Sequence, residues 1–222
     1  MARARCAVEC LERSRYRWGS MTASPYSPPL LLRPFRPGDL LALRAAIDES
    51  LPDVQRWLPW GKEEPSTLEH LAARLDRYAR DFADGTAWRY AIVDAADGRF
   101  FGTGTLLPYP GPGALEVGYW IRSGAARRGL ATRASAALVR YAFREHRIDR
   151  MELWTRPGNE PSMAVARRLG FRWRERRETS RAGAPPELYE IFGLPALAAL
   201  LVPEDPHVRI EAGALDPSAA TS

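Results

Sequence analysis

Between residues 88 and 121 the chain lays down three strand-like runs in quick succession, and this crowding constrains the fold more than any other feature. "WRYAIVDA" (88–95), "FFGTGTLLPY" (100–109) and "ALEVGYWI" (114–121) are rich in β-branched and aromatic residues. Asp97-Gly98, a two-residue hairpin signal, separates the first two, and a proline–glycine loop separates the second from the third. Connections this short join antiparallel neighbours, because a parallel return needs a crossover of a dozen residues or more. The runs therefore predict an antiparallel meander. After "ARRG" (126–129) the period changes: Leu130, Ala134, Ala137, Leu138 and Tyr141 recur at helical spacing and predict a long amphipathic helix.

The flanking segments fit around this centre. "LLLRPF" (30–35) predicts a short strand ended by Pro37-Gly38, with Asp39 capping a helix that carries Leu40, Leu43, Ala46 and Ile47. "DVQRWLPW" (53–60) reads as an aromatic, proline-broken loop. Thr67 starts a second helix, with Leu71, Leu75, Tyr78 and Phe82 on one face, which Gly85 stops. Further on come a strand, "RMELWTR" (150–156), and a short helix from Pro161 to Gly170. "FRWRERRE" (171–178) and "ELYEIFGL" (187–194) close the sheet. The order β-α-α-β-β-β-α-β-α-β-β describes one mixed α/β domain over residues 29–195. Residues 1–28 are expected to be a flexible leader, its first twenty an upstream extension. Residues 196–222 are expected to form a short helical segment and a tail that is loose beyond Pro203.

Composition removes several classes. At 222 residues and 45% hydrophobic content the chain can fill one good core, and no apolar run approaches the roughly 20 residues that span a bilayer. Cys6, Cys10, His70, His146 and His207 show no zinc spacing, so neither a metal site nor a disulfide framework is expected. The chain reads as cytoplasmic. Its formal charge of +5 is almost all arginine, Lys62 being the single lysine. That balance follows from a coding bias, or it favours acidic partners such as phosphate groups, which the planar arginine fork binds well. The run "RRLGFRWRERR" reads as a solvated face rather than an RNA-binding one, and no direct DNA binding is expected.

The loop 126–132 has two readings. A helix start leaves backbone N–H groups unpaired and carries partial positive charge, so it either holds phosphate oxygens or is a solvated cap. Neither a Walker loop nor a dinucleotide fingerprint is present.

Taken together, "LEVGYWI", "ARRGLAT", "NEPS" and "RRLGF" resemble the GNAT acetyltransferase superfamily, and within it the RimJ/RimL-like ribosomal-protein N-terminal acetyltransferase branch. The resemblance covers most of residues 29–194. It implies a single domain with a mixed, mostly antiparallel twisted sheet flanked by helices, and acetyl-coenzyme A as co-substrate. The strand 114–121 would splay from the next, and the pantetheine arm would pair with main-chain groups near Ile121 and Arg122. The diphosphate would rest on Arg127, Arg128, Gly129, Leu130, Ala131 and Thr132, with Asn159 hydrogen-bonding the coenzyme. Two departures stand out: Ala126 replaces the family's Gln or Arg, and Arg127 sits where glycine is common.

Acetyl transfer to an amine needs a neutral amine, a positioned thioester and a proton for the departing thiolate. Roughly 10–15% of α-amino groups are neutral at pH 7, against about 0.04% of lysine side chains, which favours a protein N-terminus over other amines. By the resemblance Glu116 is the base candidate; otherwise it is a solvated or arginine-paired edge glutamate. Many family members carry a tyrosine seven residues after the asparagine, where this chain has Ala166. The branch instead has serine three residues after it, so Ser162 is the thiolate-acid candidate, or else a helix cap. Trp57 and Trp60 match the acceptor-side loop and either wall the acceptor or pack beneath it. Tyr189 either lines that pocket or fills the core. The implied partners are acetyl-coenzyme A and an amine acceptor, possible acceptors including a ribosomal-protein N-terminus, with the chain a monomer or homodimer. A small-molecule amine acetyltransferase and a non-catalytic coenzyme-binding or ribosome-associated module are the alternatives.

Overall fold

A computed structural model describes residues 27–179 and 187–212. Most of the leader and the end of the tail expected above lie outside these residues. The described elements are β1 (Leu30–Pro34), α1 (Leu40–Glu49), α2 (Leu51–Trp57), α3 (Leu68–Ala83), β2 (Trp88–Asp94), β3 (Phe100–Leu107), β4 (Ala114–Ile121), α4 (Leu130–Glu145), β5 (Arg150–Thr155), α5 (Glu160–Arg168), β6 (Arg172–Thr179), β7 (Glu187–Pro195), α6 (Ala196–Ala199) and β8 (Val208–Ile210). They build one eight-stranded sheet in the order β6-β7-β5-β4-β3-β2-β1-β8. The expected meander is there, with β2–β3 and β3–β4 antiparallel. Two pairs are parallel, β4–β5 and β1–β8. The fold is the mixed, mostly antiparallel sheet flanked by helices that the sequence predicts.

Helices cover both faces. On one, α4 lays Leu130, Leu138, Val139 and Tyr141 into a core shared with Leu106, Val117, Met151 and Phe192. Each such large apolar side chain contributes about 2 kcal/mol relative to exposure. The approach is close: a Cβ at Gly104 of β3 would stand 2.7 Å from Leu138 Cδ1. On the other face, α1 and α3 pack Leu43, Ile47, Leu71 and Leu75 against Ala91, Val93 and Phe100.

Four local expectations are corrected. Asp39 does not cap α1; its carboxylate is held by the Arg33 guanidinium at 2.7 and 2.8 Å and by the Arg36 N–H at 2.8 Å. The segment 53–60 is not simply a loop, because Pro52 sits in the first turn of α2, where a missing N–H costs nothing, and helix runs to Trp57. The β2–β3 turn is longer than two residues. Asp94 and Asp97 accept from the N–H groups of Ala96 and Arg99, and Gly98 takes the left-handed conformation with φ 76°. Finally, the chain beyond Pro203 is not all loose. Val208–Ile210 adds a strand alongside Leu30–Leu32, and Asp205 pairs with Arg133 of α4, both side chains 5% exposed.

Candidate active site

The site begins where a pair of strands comes apart. β4 and β5 are in register only over Ala114–Arg150, Leu115–Met151 and Glu116–Glu152. Beyond that rung β4 stays on β3 to Gly102–Ile121, and β5 stays on β7 to Thr155–Glu190. The Arg122 N–H donates to Phe101 O at 2.8 Å. By antiparallel alternation, Val117, Tyr119 and Ile121 then turn their main-chain groups away from β3, toward the opened side. A cavity of about 1010 Å³ fills the wedge and continues along the loop that leads into α4.

At its basic end lie Arg127, Arg128, Gly129, Leu130, Ala131 and Thr132, all lining the cavity. Gly129 precedes the helix with φ 74°, and Arg127 is also left-handed, with φ 61°. Arginine thus holds a conformation suited to glycine, which costs a side-chain-bearing residue roughly 1–2 kcal/mol. Arg127→Gly is expected to raise the melting temperature by about 2–4 °C, for about 1 kcal/mol of relieved strain. A thermal scan showing a lower melting temperature would mean that the side chain's contacts outweigh that strain.

The middle of the cavity is set by α5. Asn159 caps the helix, its Oδ1 accepting from the Ser162 N–H at 3.2 Å. Ser162 is therefore not the cap. Its hydroxyl stands in the cavity and accepts from Tyr119 Oη at 3.2 Å. Burial pushes the Tyr119 phenol up to about 12, so it stays protonated.

At the other end Glu116 is 1% exposed, lines the cavity, and stands in register beside Glu152. It is not a solvated edge residue. Glu152 accepts from Arg150 Nε at 2.9 Å and from Trp154 Nε1 at 2.7 Å. Trp57, Trp154, Arg156 and Tyr189 complete this end. Glu187 binds Arg156 and Lys62 and accepts from Tyr189 Oη. Burial alone would raise its carboxyl, but these donors outweigh it and hold the group at about 2. Arg156 also donates to Arg56 O at 2.7 Å, fastening α2 to the ends of β5 and β7. Tyr189 is both wall and core, 3% exposed beside Trp154 and Ile191.

Two expected residues fall outside. Trp60 turns with the 3₁₀ segment Pro59–Glu63 onto Trp120 at 6.0 Å, under the Arg74 guanidinium at 5.3 Å, and packs half-buried against the core. Arg122 has its N–H on Phe101, its carbonyl on the Ala125 N–H at 2.9 Å and its guanidinium on Glu49. It ties the α1–α2 corner to the loop after β4, where Ser123 also meets Ser50 and Asp53. Sequence reasoning missed Tyr119, Arg156 and Glu187. Only Tyr119 left a signal, lying two residues from Val117 on the strand face that packs toward the helices.

A mixed sheet whose parallel pair splays beside a glycine-bearing helix start is the arrangement that the resemblance implies. The family model described as the acetyltransferase (GNAT) domain matches residues 29–172, and the chain belongs to that family of acyltransferases. It is 28% identical over 143 residues to YdaF, a proposed ribosomal N-acetyltransferase of Bacillus subtilis (strain 168), covering 64% of this chain and 77% of that one. Its structure is similar to that of RimL, a ribosomal L7/L12 α-N-protein acetyltransferase solved with coenzyme A (TM-score 0.66, 20% identity, 77% of this chain and 96% of that one). It is also similar to Mycobacterium smegmatis RimJ in complex with CoA-disulfide (TM-score 0.65, 24% identity, 76% and 85%). No helix among the described residues is long and apolar enough to cross a membrane.

Proposed function

We propose that the protein transfers the acetyl group of acetyl-coenzyme A to a primary amine, the α-amine of a protein N-terminus. The end of β4–β5 pairing at Glu116–Glu152, which opens a continuous cavity from the basic loop past Ser162 to Glu116, carries this reading. The fit to the coenzyme rests on the same features. Its volume suits a large ligand, a left-handed loop with two arginines opens at a helix start, and the main-chain groups of Val117, Tyr119 and Ile121 face the wedge. The coenzyme supplies an activated thioester.

The protein's own residues divide the remaining work. Residues 127–132 hold the anionic end, and Asn159 sets the α5 turn that presents Ser162. The Ser162 hydroxyl donates to the sulfur as the C–S electron pair passes to it. Glu116 takes the proton that the amine nitrogen loses as its bond to the acetyl carbon forms. Trp57, Trp154 and Tyr189 wall the acceptor, with Arg156 fixed by Glu187 at the mouth. The domain proper takes in residue 29 onward and, by the β8 pairing, extends to about residue 211.

Thiol release from acetyl-coenzyme A, measured across N-terminal peptides, polyamines and aminoglycosides, tests the proposal. Peptides are expected to react fastest. Preference for either other class would move the assignment to a small-molecule acetyltransferase, and coenzyme binding without turnover on any would make it a non-catalytic module. Ser162→Ala is expected to lower kcat about tenfold or more with little change in coenzyme affinity, since it removes only a donor to the leaving group. Unchanged turnover would remove Ser162 from the chemistry.

A further inference from the structure

Ser162 does not face the cavity alone. Tyr119 comes from β4, on the opened stretch past the Glu116 rung, and its ring enters from the wall opposite α5. Both residues line the cavity, and the phenol is the donor in the 3.2 Å contact between them. A serine hydroxyl has one hydrogen and two acceptor sites. With one acceptor site filled by Tyr119, and the Ser162 main chain fixed by Asn159, the rotor loses much of its freedom and its hydrogen is left available to a group in the cavity.

We infer that Tyr119 is a positioning residue that acts through Ser162, the two forming a hydrogen-bonded dyad that steadies a sulfur anion in the cavity. The inference rests on the proposed reading of the site as an acetyl-coenzyme A site. The chemistry balances without a proton leaving the tyrosine. The C–S electron pair goes to sulfur, Ser162 Oγ–H donates a hydrogen bond to it, and Tyr119 Oη–H donates to Ser162 Oγ. The thiolate then leaves and is protonated by solvent. A phenol held near 12 by burial does not ionise in favour of a thiolate, since a thiol is the stronger acid, as the cysteine value of about 8.5 illustrates. Chained donors polarise one another, so the serine hydroxyl is a better donor with the phenol behind it than without it.

The dyad can be read without knowing the acceptor. Free coenzyme A is bound to the protein, and its thiol is titrated through the ultraviolet absorbance of the thiolate. In the parent protein the bound thiol is expected to titrate about one unit lower than in Tyr119→Phe, which keeps the ring and loses only the hydroxyl. Ser162→Ala should show the same shift, and the double variant no further shift, because both belong to one chain of donors. On the fastest acceptor, Tyr119→Phe should lower kcat about fivefold to tenfold and leave the KM for acetyl-coenzyme A within about twofold. A bound thiol that titrates identically in parent and Tyr119→Phe overturns the inference, as does a separate, multiplicative loss in the double variant. If Ser162→Ala also leaves both the thiol and turnover unchanged, the hydrogen-bonding role proposed for Ser162 falls first. If coenzyme A does not bind the parent at all, the reading of the whole site falls with it.

Discussion

Replacing Glu116 with glutamine is expected to lower kcat/KM on an N-terminal peptide about a hundredfold near pH 6.5 and much less near pH 9. The substitution keeps the side chain's size and one of its two oxygens, so the last β4–β5 rung and the cavity wall survive, while basicity is lost. Near pH 6.5 only roughly 3–6% of an α-amine is neutral, and near pH 9 over about 90% is. By the proposed mechanism Glu116 takes the amine's proton in the parent, so the parent's rate should persist into the acid range. The variant must wait for the neutral fraction and lose the second proton to solvent, so its acid limb should follow the amine's own titration. The decisive measurement is kcat/KM against pH for both proteins with one peptide. Two profiles that overlay after scaling would leave Glu116 as a structural carboxylate, and the base would have to be sought elsewhere in the cavity.

Local features of the sequence made much of this architecture legible. The meander was readable because β2, β3 and β4 are short, close together and separated by turn residues. Asn159 and Ser162 stood out as a pair through the resemblance, but the capping role was read onto Ser162, whereas Asn159 is the cap and Ser162 supplies the N–H. The departure at Arg127 was visible as an arginine where glycine is common, and the backbone there is indeed left-handed. What escaped depends on partners distant in the chain. β8 has only three residues, and its place is fixed by Leu30–Leu32 and by the Arg133–Asp205 pair. Trp57 and Trp60 look alike in sequence, yet helix α2 presents one to the cavity while the following 3₁₀ turn packs the other, half-buried, against Trp120. The rung at which β4 parts from β5 has no local signal, because it is a property of two strands that meet across α4.

The same long-range logic locates a weak point for stability beside the cavity. Arg74→Met is expected to destabilise the protein by about 3–5 kcal/mol and lower its melting temperature by roughly 6–20 °C. Arg74 of α3 is 5% exposed, and its Nη1 lies 2.7 Å from Glu64 Oε1, whose side chain is fully buried just after the 3₁₀ segment that follows Trp57. Burial pushes the Glu64 carboxyl up, but the Ser66 N–H and the Arg74 charge outweigh it and hold the group below the ordinary range. Without Arg74, the remaining cation is Arg44 at 4.0 Å, and a buried carboxylate is left poorly compensated. The sign with pH follows. A carboxyl lowered in the folded state adds stability that is present above its unfolded value and lost as pH falls through the folded one. The parent should therefore lose stability below about pH 4.5 at this site, whereas Arg74→Met should lose that part of the dependence. Converting both partners, Arg74→Met with Glu64→Met, should recover most of the loss, because removing a whole buried pair costs far less than orphaning one charge. Thermal melts of the three proteins at two pH values decide the matter. A single variant that melts within about 2 °C of the parent would show that the Glu64 carboxylate relies on Ser66 and Arg44, and that Arg74 serves mainly as packing over Trp60.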